Sequence, residues 1–147
     1  MNRAVQYCLK LLAKKDYTTI ELQRKLSLHQ FETTEADEAI KILVKKSFVD
    51  DRRYAQNYVR IHISRGKIRI KHELIKKGVD KEVISEIFDN QISDDDREKA
   101  LEVAKRWLSR KIPDEDKYKF RQKLIAKLSR QGFEYEIIRQ VVDDLIK

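Results

Sequence analysis

Two glycines near the middle of the chain, Gly66 and Gly78, bracket the segment that most constrains the fold. Between them Ile70, Leu74 and Ile75 recur at helical spacing, which predicts one short helix with these three side chains on its inner side. Gly78 follows the last helical position, where a left-handed backbone suits glycine best. The segment is therefore predicted to be a short helix with a sharp C-terminal turn.

A second helix is predicted to start directly after that turn. Asp80 has the position of an N-cap, whose carboxylate accepts hydrogen bonds from the first free backbone N–H groups. Val79 before the cap and Ile84 four positions after it form the apolar pair that fixes the angle of entry into a helix. The two predicted helices thus form a helix-turn-helix corner with a basic exterior.

The same corner recurs near the C-terminus, where Gly132, Phe133 and Glu134 precede Ile138. Leucines that are expected to point inward recur about every fifty residues: Leu22, Leu74 and Leu124. A unit of this size cannot bury its own apolar face without a neighbour, which is typical of repeat proteins. We therefore predict three tandem three-helix repeats, at about 1–48, 49–92 and 93–147. They should give about nine helices in an elongated, curved body.

Composition supports an all-α fold in a single domain over residues 1–147. The chain holds only three glycines and one proline, so few residues interrupt helices. The single cysteine, Cys8, excludes an internal disulfide and suits a reducing cytosol. No apolar run approaches the ~20 residues that span a bilayer, and the N-terminus lacks the apolar stretch of a signal peptide. These observations predict a cytoplasmic protein without a membrane partner.

Further helix starts carry local capping signals. Thr18 is predicted to be an N-cap with Glu21 completing a capping box, and Thr34, Asp50 and Ser93 are predicted to start later helices.

Apolar positions at helical spacing predict the core. Ile20 is expected to point inward and Ile61 to lie on the apolar side of its helix, while Cys8 is expected to be a small core residue. Trp107 and Phe120 could stack on nucleic-acid bases, but their spacing among leucine and alanine favours a core position.

Basic residues exceed acidic ones by 33 to 25, giving a net charge of +8, and they are unevenly distributed. Acidic clusters precede helices, where the helix dipole explains them, but two basic clusters have no such local explanation. They either form solvated helix faces or a surface for phosphates or an acidic partner. The candidate binding residues in these clusters are Arg60, Arg65, Lys67, Arg69, Lys71, Lys76, Lys77, Lys119, Lys123, Lys127 and Arg130.

Catalytic and metal sites lack support in the sequence. The three histidines, His29, His62 and His72, have no cysteine or carboxylate at metal-ligand spacing. The glycines stand at predicted helix ends, so no glycine-rich phosphate loop exists. We therefore expect a binding protein with no catalytic residues, no metal and no cofactor.

Three motifs together resemble the RecX family, the bacterial regulators of the RecA recombinase. Residues 47–55 (Ser-Phe-Val-Asp-Asp-Arg-Arg-Tyr-Ala) are similar to that family's Gly-Tyr-Leu-Asp-Asp-x-Arg-Phe-Ala signature. Residues 69–79 resemble its Arg-Ile-x-x-Glu-Leu-x-x-Lys-Gly-Ile, and residues 18–26 its Ser-x-x-Glu-Leu-x-x-Lys-Leu. Two departures affect local turns: Ser47 replaces the signature glycine, and Ser64 replaces the first glycine before the central helix.

The resemblance implies a nine-helix, three-repeat protein that lodges in the groove of the RecA–DNA filament. It further implies inhibition of the ATPase, coprotease and strand-exchange activities of RecA in recombination, DNA repair and the SOS response. The implied partners are the RecA filament and, through the basic faces, single- and double-stranded DNA with weak, non-specific affinity. A monomer is expected.

Two other classes remain open. A helix-turn-helix transcription regulator would fit the corners, but its recognition helix should begin with polar base-reading residues. The helices after Asp80 and Glu134 begin instead with the apolar pairs Val83-Ile84 and Ile137-Ile138. An assembly chaperone would bind its partner without sensitivity to salt.

Overall fold

The computed structural model describes residues 2–62, 64–90, 96–111 and 116–146, and it shows nine α-helices and no strand among them. The helices are α1 (Arg3–Leu12), α2 (Thr19–Leu28), α3 (Thr33–Lys45), α4 (Asp51–Ile61), α5 (Lys67–Lys76), α6 (Lys81–Asn90), α7 (Asp96–Arg110), α8 (Lys117–Gln131) and α9 (Tyr135–Leu145). The predicted all-α class with nine helices is confirmed. No described helix is both long and apolar enough to cross a membrane.

The chain divides into two compact units. The first comprises Met1–Tyr58 and Leu74–Ile87, and the second comprises Val59–Glu73 and Phe88–Lys147. Helices α4, α5 and α6 therefore each contribute residues to both units. The division into three repeats stays a prediction.

The core of the first unit lies among α1, α2 and α3. Cys8, Leu22, Leu26 and Leu43 are fully buried there. Burial raises the pKa of the Cys8 thiol from its ordinary 9.0 to about 11, because the thiolate would lose its hydration. The prediction that Cys8 is a core residue is confirmed.

The core of the second unit lies among α7, α8 and α9. Leu124, Leu128 and Val142 are fully buried in it. The rings of Trp107 and Phe120 pack with their centroids 5.2 Å apart, and Trp107 is only partly buried. Both aromatic residues therefore belong to the core, as their spacing predicted.

The predicted corner after α5 is confirmed. Gly78 has a φ of 91°, and the Val79 N–H donates to the Leu74 carbonyl at 3.0 Å, which closes a Schellman motif. The Asp80 carboxylate accepts from the Glu82 N–H at 2.9 Å, and Ile84 is buried.

The corner after α8 has the same C-terminal geometry. Gly132 has a φ of 94°, and the Phe133 N–H donates to the Leu128 carbonyl at 3.3 Å. Phe133 and Ile138 are both buried, so the apolar pair is present. Glu134 precedes α9 without a side-chain hydrogen bond to the helix, unlike Asp80 before α6.

A third corner of this kind, which was not predicted from the sequence, follows α2. Gln30 has a φ of 66°, and the Phe31 N–H donates to the Leu26 carbonyl at 3.1 Å. Glu32 is the N-cap of α3, so the predicted cap at Thr34 is wrong. The corner was missed because glutamine stands where the other two corners have glycine.

Three predicted inner positions are wrong. Ile75 on α5 is 42% exposed, Ile20 on α2 is 36% exposed and Ile61 at the end of α4 is 70% exposed. Leu74 and Ile70 alone form the inner side of α5, since both are fully buried. The spacing of apolar residues predicted these helices correctly. It also placed more apolar residues on their buried sides than the structure buries.

The other caps follow local chemistry. Thr18 forms the predicted capping box with Glu21, and the Asp50 carboxylate accepts from the Arg53 N–H at 3.2 Å. The predicted cap Ser93 lies outside the described residues. Ser47, which replaces a glycine in the family signature, takes the left-handed conformation with a φ of 63°.

Candidate nucleic-acid interface

The start of the central helix α5 meets the end of α8. The Gly66 N–H donates to the Gln131 carbonyl at 2.7 Å, and the Ile68 N–H donates to the Gly132 carbonyl at 3.1 Å. A Cβ on Gly66 would lie 2.3 Å from the carbonyl carbon of Gly132, so only glycine allows this approach. The negative end of one helix dipole thus meets the positive end of another.

An aspartate completes the cap of α5. The Lys67 N–H donates to the Asp96 carboxylate at 3.0 Å, although Asp96 lies at the start of α7. Asp96 is only 5% exposed, and Lys99 Nζ approaches it at 3.8 Å. The backbone of α5 is therefore fixed at its start.

The end of α5 is held by α2 in the first unit. The Thr18 hydroxyl donates to the Lys77 carbonyl, and an Arg24 guanidinium nitrogen donates to the Lys76 carbonyl at 3.5 Å. Lys77 Nζ also lies 3.9 Å from the Glu21 carboxylate. These contacts occupy the carbonyl groups that the last turn of a helix leaves without partners.

Two of the predicted binding residues around α5 are engaged within the fold. Arg65 makes two hydrogen bonds to the Glu73 carboxylate, at 2.8 and 3.0 Å, and Arg69 Nε lies 3.5 Å from the same group. Arg69 also donates to the Gln131 side chain at 2.8 Å. An external anion would have to compete with Glu73 for both guanidinium groups.

The lysines of this region contact aromatic rings. Lys67 and Lys71 place their ammonium groups 5.7 and 5.4 Å from the centre of the Phe88 ring. Lys77 lies 5.9 Å from the centre of the Tyr58 ring. Such contacts stabilise an ammonium group by roughly 0.5–1 kcal/mol at exposed sites, so they restrain these lysines only modestly. The remaining predicted cations of this cluster, Arg60 and Lys76, are exposed.

The predicted basic residues of α8 form one stripe. Lys119, Lys123, Lys127 and Arg130 follow one another at intervals of four, four and three residues, which places them on one side of the helix. Lys119, Lys123 and Arg130 are exposed, and Lys127 is partly exposed. We call these four residues the α8 stripe.

One end of the α8 stripe forms a wall of a cleft in the second unit, and α7 supplies the opposite wall. The cleft has a volume of about 490 Å³. Its lining residues are Ser64, Val103, Arg106, Trp107, Arg110, Lys111, Lys127, Arg130 and Gln131. Five of them are cationic and none is acidic, and we call this feature the cationic cleft.

The charges of the cationic cleft are largely without acidic partners. Arg106 lies 3.5 Å from the Glu102 carboxylate, and both side chains are exposed. Within the described ranges, no ion pair involves Arg110, Lys127 or Arg130. The cleft therefore offers guanidinium and ammonium groups that an external anion can reach without displacing a carboxylate.

Sequence reasoning found only the α8 side of this cleft. Arg106, Arg110 and Lys111 were missed because Lys105-Arg106 and Arg110-Lys111 flank a tryptophan that was assigned to the core. The signal was present, since Arg106 and Arg110 are one helical turn apart on α7. Nothing local indicated that α8 would supply the opposite wall.

The structure offers little support for a metal site or a base-reading helix. No cluster of three or more histidine, cysteine or acidic residues suited to a metal ion occurs in the described part of the chain. At the starts of α6 and α9, Ile84 and Ile138 are buried, and Val83 and Ile137 are partly buried. These helices therefore begin with side chains turned inward, which does not suit base reading in a DNA groove.

Comparisons with known proteins agree with one another. A profile of the RecX second three-helix domain matches residues 50–87, and a profile of the RecX third three-helix domain matches residues 94–142. Regulatory protein RecX of Clostridioides difficile (strain 630) is 32% identical over 147 residues, which cover 98% of this chain and 68% of that protein. The chain belongs to the RecX family.

Other RecX proteins extend this result. Regulatory protein RecX of Clostridium perfringens (strain 13 / Type A) is 31% identical over 136 residues, covering 91% of this chain, and the chain spans 64% of that relative. The crystal structure of RecX from Lactobacillus salivarius superimposes with a TM-score of 0.83 at 25% identity, covering 97% of this chain and 94% of that one. The relatives are named as regulatory proteins.

Proposed function

We propose that this RecX protein is a negative modulator of the RecA recombinase. It binds in the groove of the RecA–DNA filament and inhibits the ATPase, coprotease and strand-exchange activities of RecA. The observation that carries the proposal is the membership of the chain in the RecX family, whose relatives are named as regulatory proteins. Action in the cytoplasm as a monomer, in recombination, DNA repair and the SOS response, is part of the same proposal.

The structure supports a binding role through its exposed charge. A RecA–DNA filament presents DNA phosphates together with protein surface. The cationic cleft offers Arg110, Lys127 and Arg130, which form no ion pair with a carboxylate among the described residues. Long-range attraction and counterion release would make such binding sensitive to salt. Arg65 and Arg69 near α5 contribute less to this surface, because the Glu73 carboxylate engages both guanidinium groups.

The test is a RecA ATPase assay on single-stranded DNA, with RecA from the same organism and this protein titrated in. We expect substoichiometric amounts to depress the DNA-dependent rate, because one bound molecule affects a filament of many subunits. A RecA reaction without DNA serves as the control and should not change. An unchanged DNA-dependent rate at equimolar protein would contradict the proposal. Sequence-specific duplex binding in the absence of RecA would favour a transcription regulator instead.

A further inference from the structure

We infer that the cationic cleft is a binding site for the sugar-phosphate backbone of single-stranded DNA, held by Arg110, Lys127 and Arg130. The inference rests on the proposed function only for the identity of the polyanion, because DNA is what a RecA filament contains. It shifts the expected contact from the central helix α5, where the sequence places most basic residues, to α7 and α8.

A phosphate ligand is inferred from which cations already bond to a carboxylate and which do not. A guanidinium group that already bonds to a carboxylate gains little from a phosphate, since it exchanges one charge-assisted hydrogen bond for another. That is the situation of Arg65 and Arg69, which share Glu73. Arg110 and Arg130 have no such partner in the described ranges, so a phosphate meets donors that are otherwise only hydrated.

A strand fits better than an isolated phosphate or nucleotide because the charge continues beyond the cleft. Lys119 and Lys123 extend the row of cations along α8, and the row from Lys119 to Arg130 covers about 16 Å of helix. Successive members lie about 4.5–6 Å apart along the helix axis. A mononucleotide would leave the outer half of this row unused, whereas a strand with phosphates at regular intervals can contact all of it.

A single strand fits better than a duplex because of the shape of the site. The cleft, of about 490 Å³, lies between α7 and α8, which pack against each other. Neighbouring packed helices have axes about 8–10 Å apart, and duplex DNA is a stiff rod with a persistence length of about 150 base pairs. A flexible single strand can enter such a cleft. Trp107 in its lining offers an apolar surface to a sugar or base.

The experiment measures binding of the 147-residue protein to a fluorescein-labelled oligo-dT strand and to a hairpin duplex of equal length by fluorescence anisotropy. The test variant is Arg110→Gln/Lys127→Gln/Arg130→Gln, which removes three charges and keeps most of each aliphatic stem. The matched control is Lys41→Gln/Lys45→Gln/Lys46→Gln, which removes three exposed charges from α3 and its C-cap. Circular dichroism and thermal melting verify that both variants are folded.

We expect the cleft variant to bind oligo-dT at least about ten-fold more weakly, and the control to bind within about two-fold of the unchanged protein. Raising salt from about 50 to about 200 mM should weaken binding of both proteins to oligo-dT. The fold-loss in affinity should be about 20 times larger for the unchanged protein than for the cleft variant, because the variant has lost three phosphate contacts. The unchanged protein should prefer oligo-dT to the hairpin, and the cleft variant should lose this preference.

Several results would overturn the inference. Equal losses in both triple variants would mean that only net charge matters, and a preference for the hairpin would exclude a single-strand site. Competition by polyglutamate as effective as that by oligo-dT of equal charge would indicate an acidic protein surface as the ligand.

The RecA ATPase assay separates this inference from the proposed function. Loss of oligo-dT binding in the cleft variant supports the site whether or not the unchanged protein inhibits RecA. Failure of the unchanged protein to inhibit RecA would contradict only the proposed function. Inhibition with no effect of the cleft variant on oligo-dT binding would contradict only the inference.

Discussion

Three residues close equivalent turns after helices α2, α5 and α8: Gln30, Gly78 and Gly132. All three have a positive φ, of 66°, 91° and 94°. Glycine adopts this conformation freely, whereas a residue with a Cβ meets the following carbonyl oxygen at a cost of roughly 1–2 kcal/mol. Gln30 therefore occupies a position for which glycine is the better residue.

We predict that Gln30→Gly raises the free energy of unfolding by roughly 0.5–1 kcal/mol. The gain from relieved strain exceeds the extra entropy that glycine gives the unfolded chain. Urea unfolding followed by circular dichroism measures the change. Gln30→Ala is the control and should bring no gain, since alanine keeps the Cβ. A gain from alanine equal to that from glycine would show that backbone strain is not the cause.

At the scale of single residues, sequence reasoning succeeded where the chemistry is local. The capping box at Thr18 and the caps at Asp50 and Asp80 depend on residues within three positions, so their patterns were sufficient. It failed at Thr34, because the turn at Gln30 fixes where α3 begins. A turn closed by an unusual residue type carries no compositional signal.

At the scale of helices, α2 and α5 share an unusual arrangement at their starts. The Thr19 N–H and hydroxyl donate to Asp51, at 2.9 and 2.8 Å, as the Lys67 N–H donates to Asp96 at 3.0 Å. Asp51 and Asp96 are the first residues of α4 and α7, so in both cases the first residue of a later helix caps an earlier one. Helix α8 is capped instead by Asp116 directly before it.

We predict that Asp96→Ala lowers the free energy of unfolding by about 1–2 kcal/mol, because it removes the acceptor for the Lys67 N–H. Asp96→Asn should lose less, since its amide oxygen can still accept that hydrogen bond. Asp144→Ala serves as a surface control: it breaks an ion pair with Arg97 in which both side chains are more than half exposed, and should change stability little. Urea unfolding of the three variants measures whether their losses of stability fall in this order. A loss for Asp144→Ala as large as that for Asp96→Ala would contradict it.

The arrangement of helices was only partly predictable from the sequence. Periodicity located α5 and its buried residues Ile70 and Leu74, but not the exposure of Ile75. The spacing of apolar residues does not determine how much of a helix surface the neighbouring helices cover. The cationic cleft depends on which helices become neighbours, and three of its five cations were not among the predicted binding residues. The pairing of Arg65 with Glu73 likewise depends on the turn between them.

At the scale of the whole molecule, two hydrophobic cores are linked by shared helices. Leu22 lies in the core of the first unit and Leu128 in that of the second. Helices α4, α5 and α6 each supply residues to both units, and a helix is expensive to break in its middle because a new end leaves backbone groups without partners. Partial unfolding of one unit would thus disrupt helices of the other.

We therefore predict a single cooperative thermal transition. Leu22→Ala and Leu128→Ala should each destabilise the protein by about 2–5 kcal/mol, and both should lower the same transition by roughly 2–4 °C for each kcal/mol lost. Circular dichroism at several wavelengths, together with calorimetry, tests whether one transition accounts for the data. Two transitions, each moved by only one of the substitutions, would show that the units unfold independently.

The two aspartates that cap earlier helices also determine when those helices can complete their first turn during synthesis of the chain. Asp51 lies 32 residues after Thr19, and Asp96 lies 29 residues after Lys67. A ribosome adding about 5–20 residues per second reaches each aspartate roughly 2 to 6 seconds after the helix start that it caps. During that interval α2 and α5 can form only with an incomplete first turn. A nascent chain arrested before residue 96 should therefore carry a frayed α5, and the start of α5 gains its remaining partners only when Gln131 and Gly132 have been added.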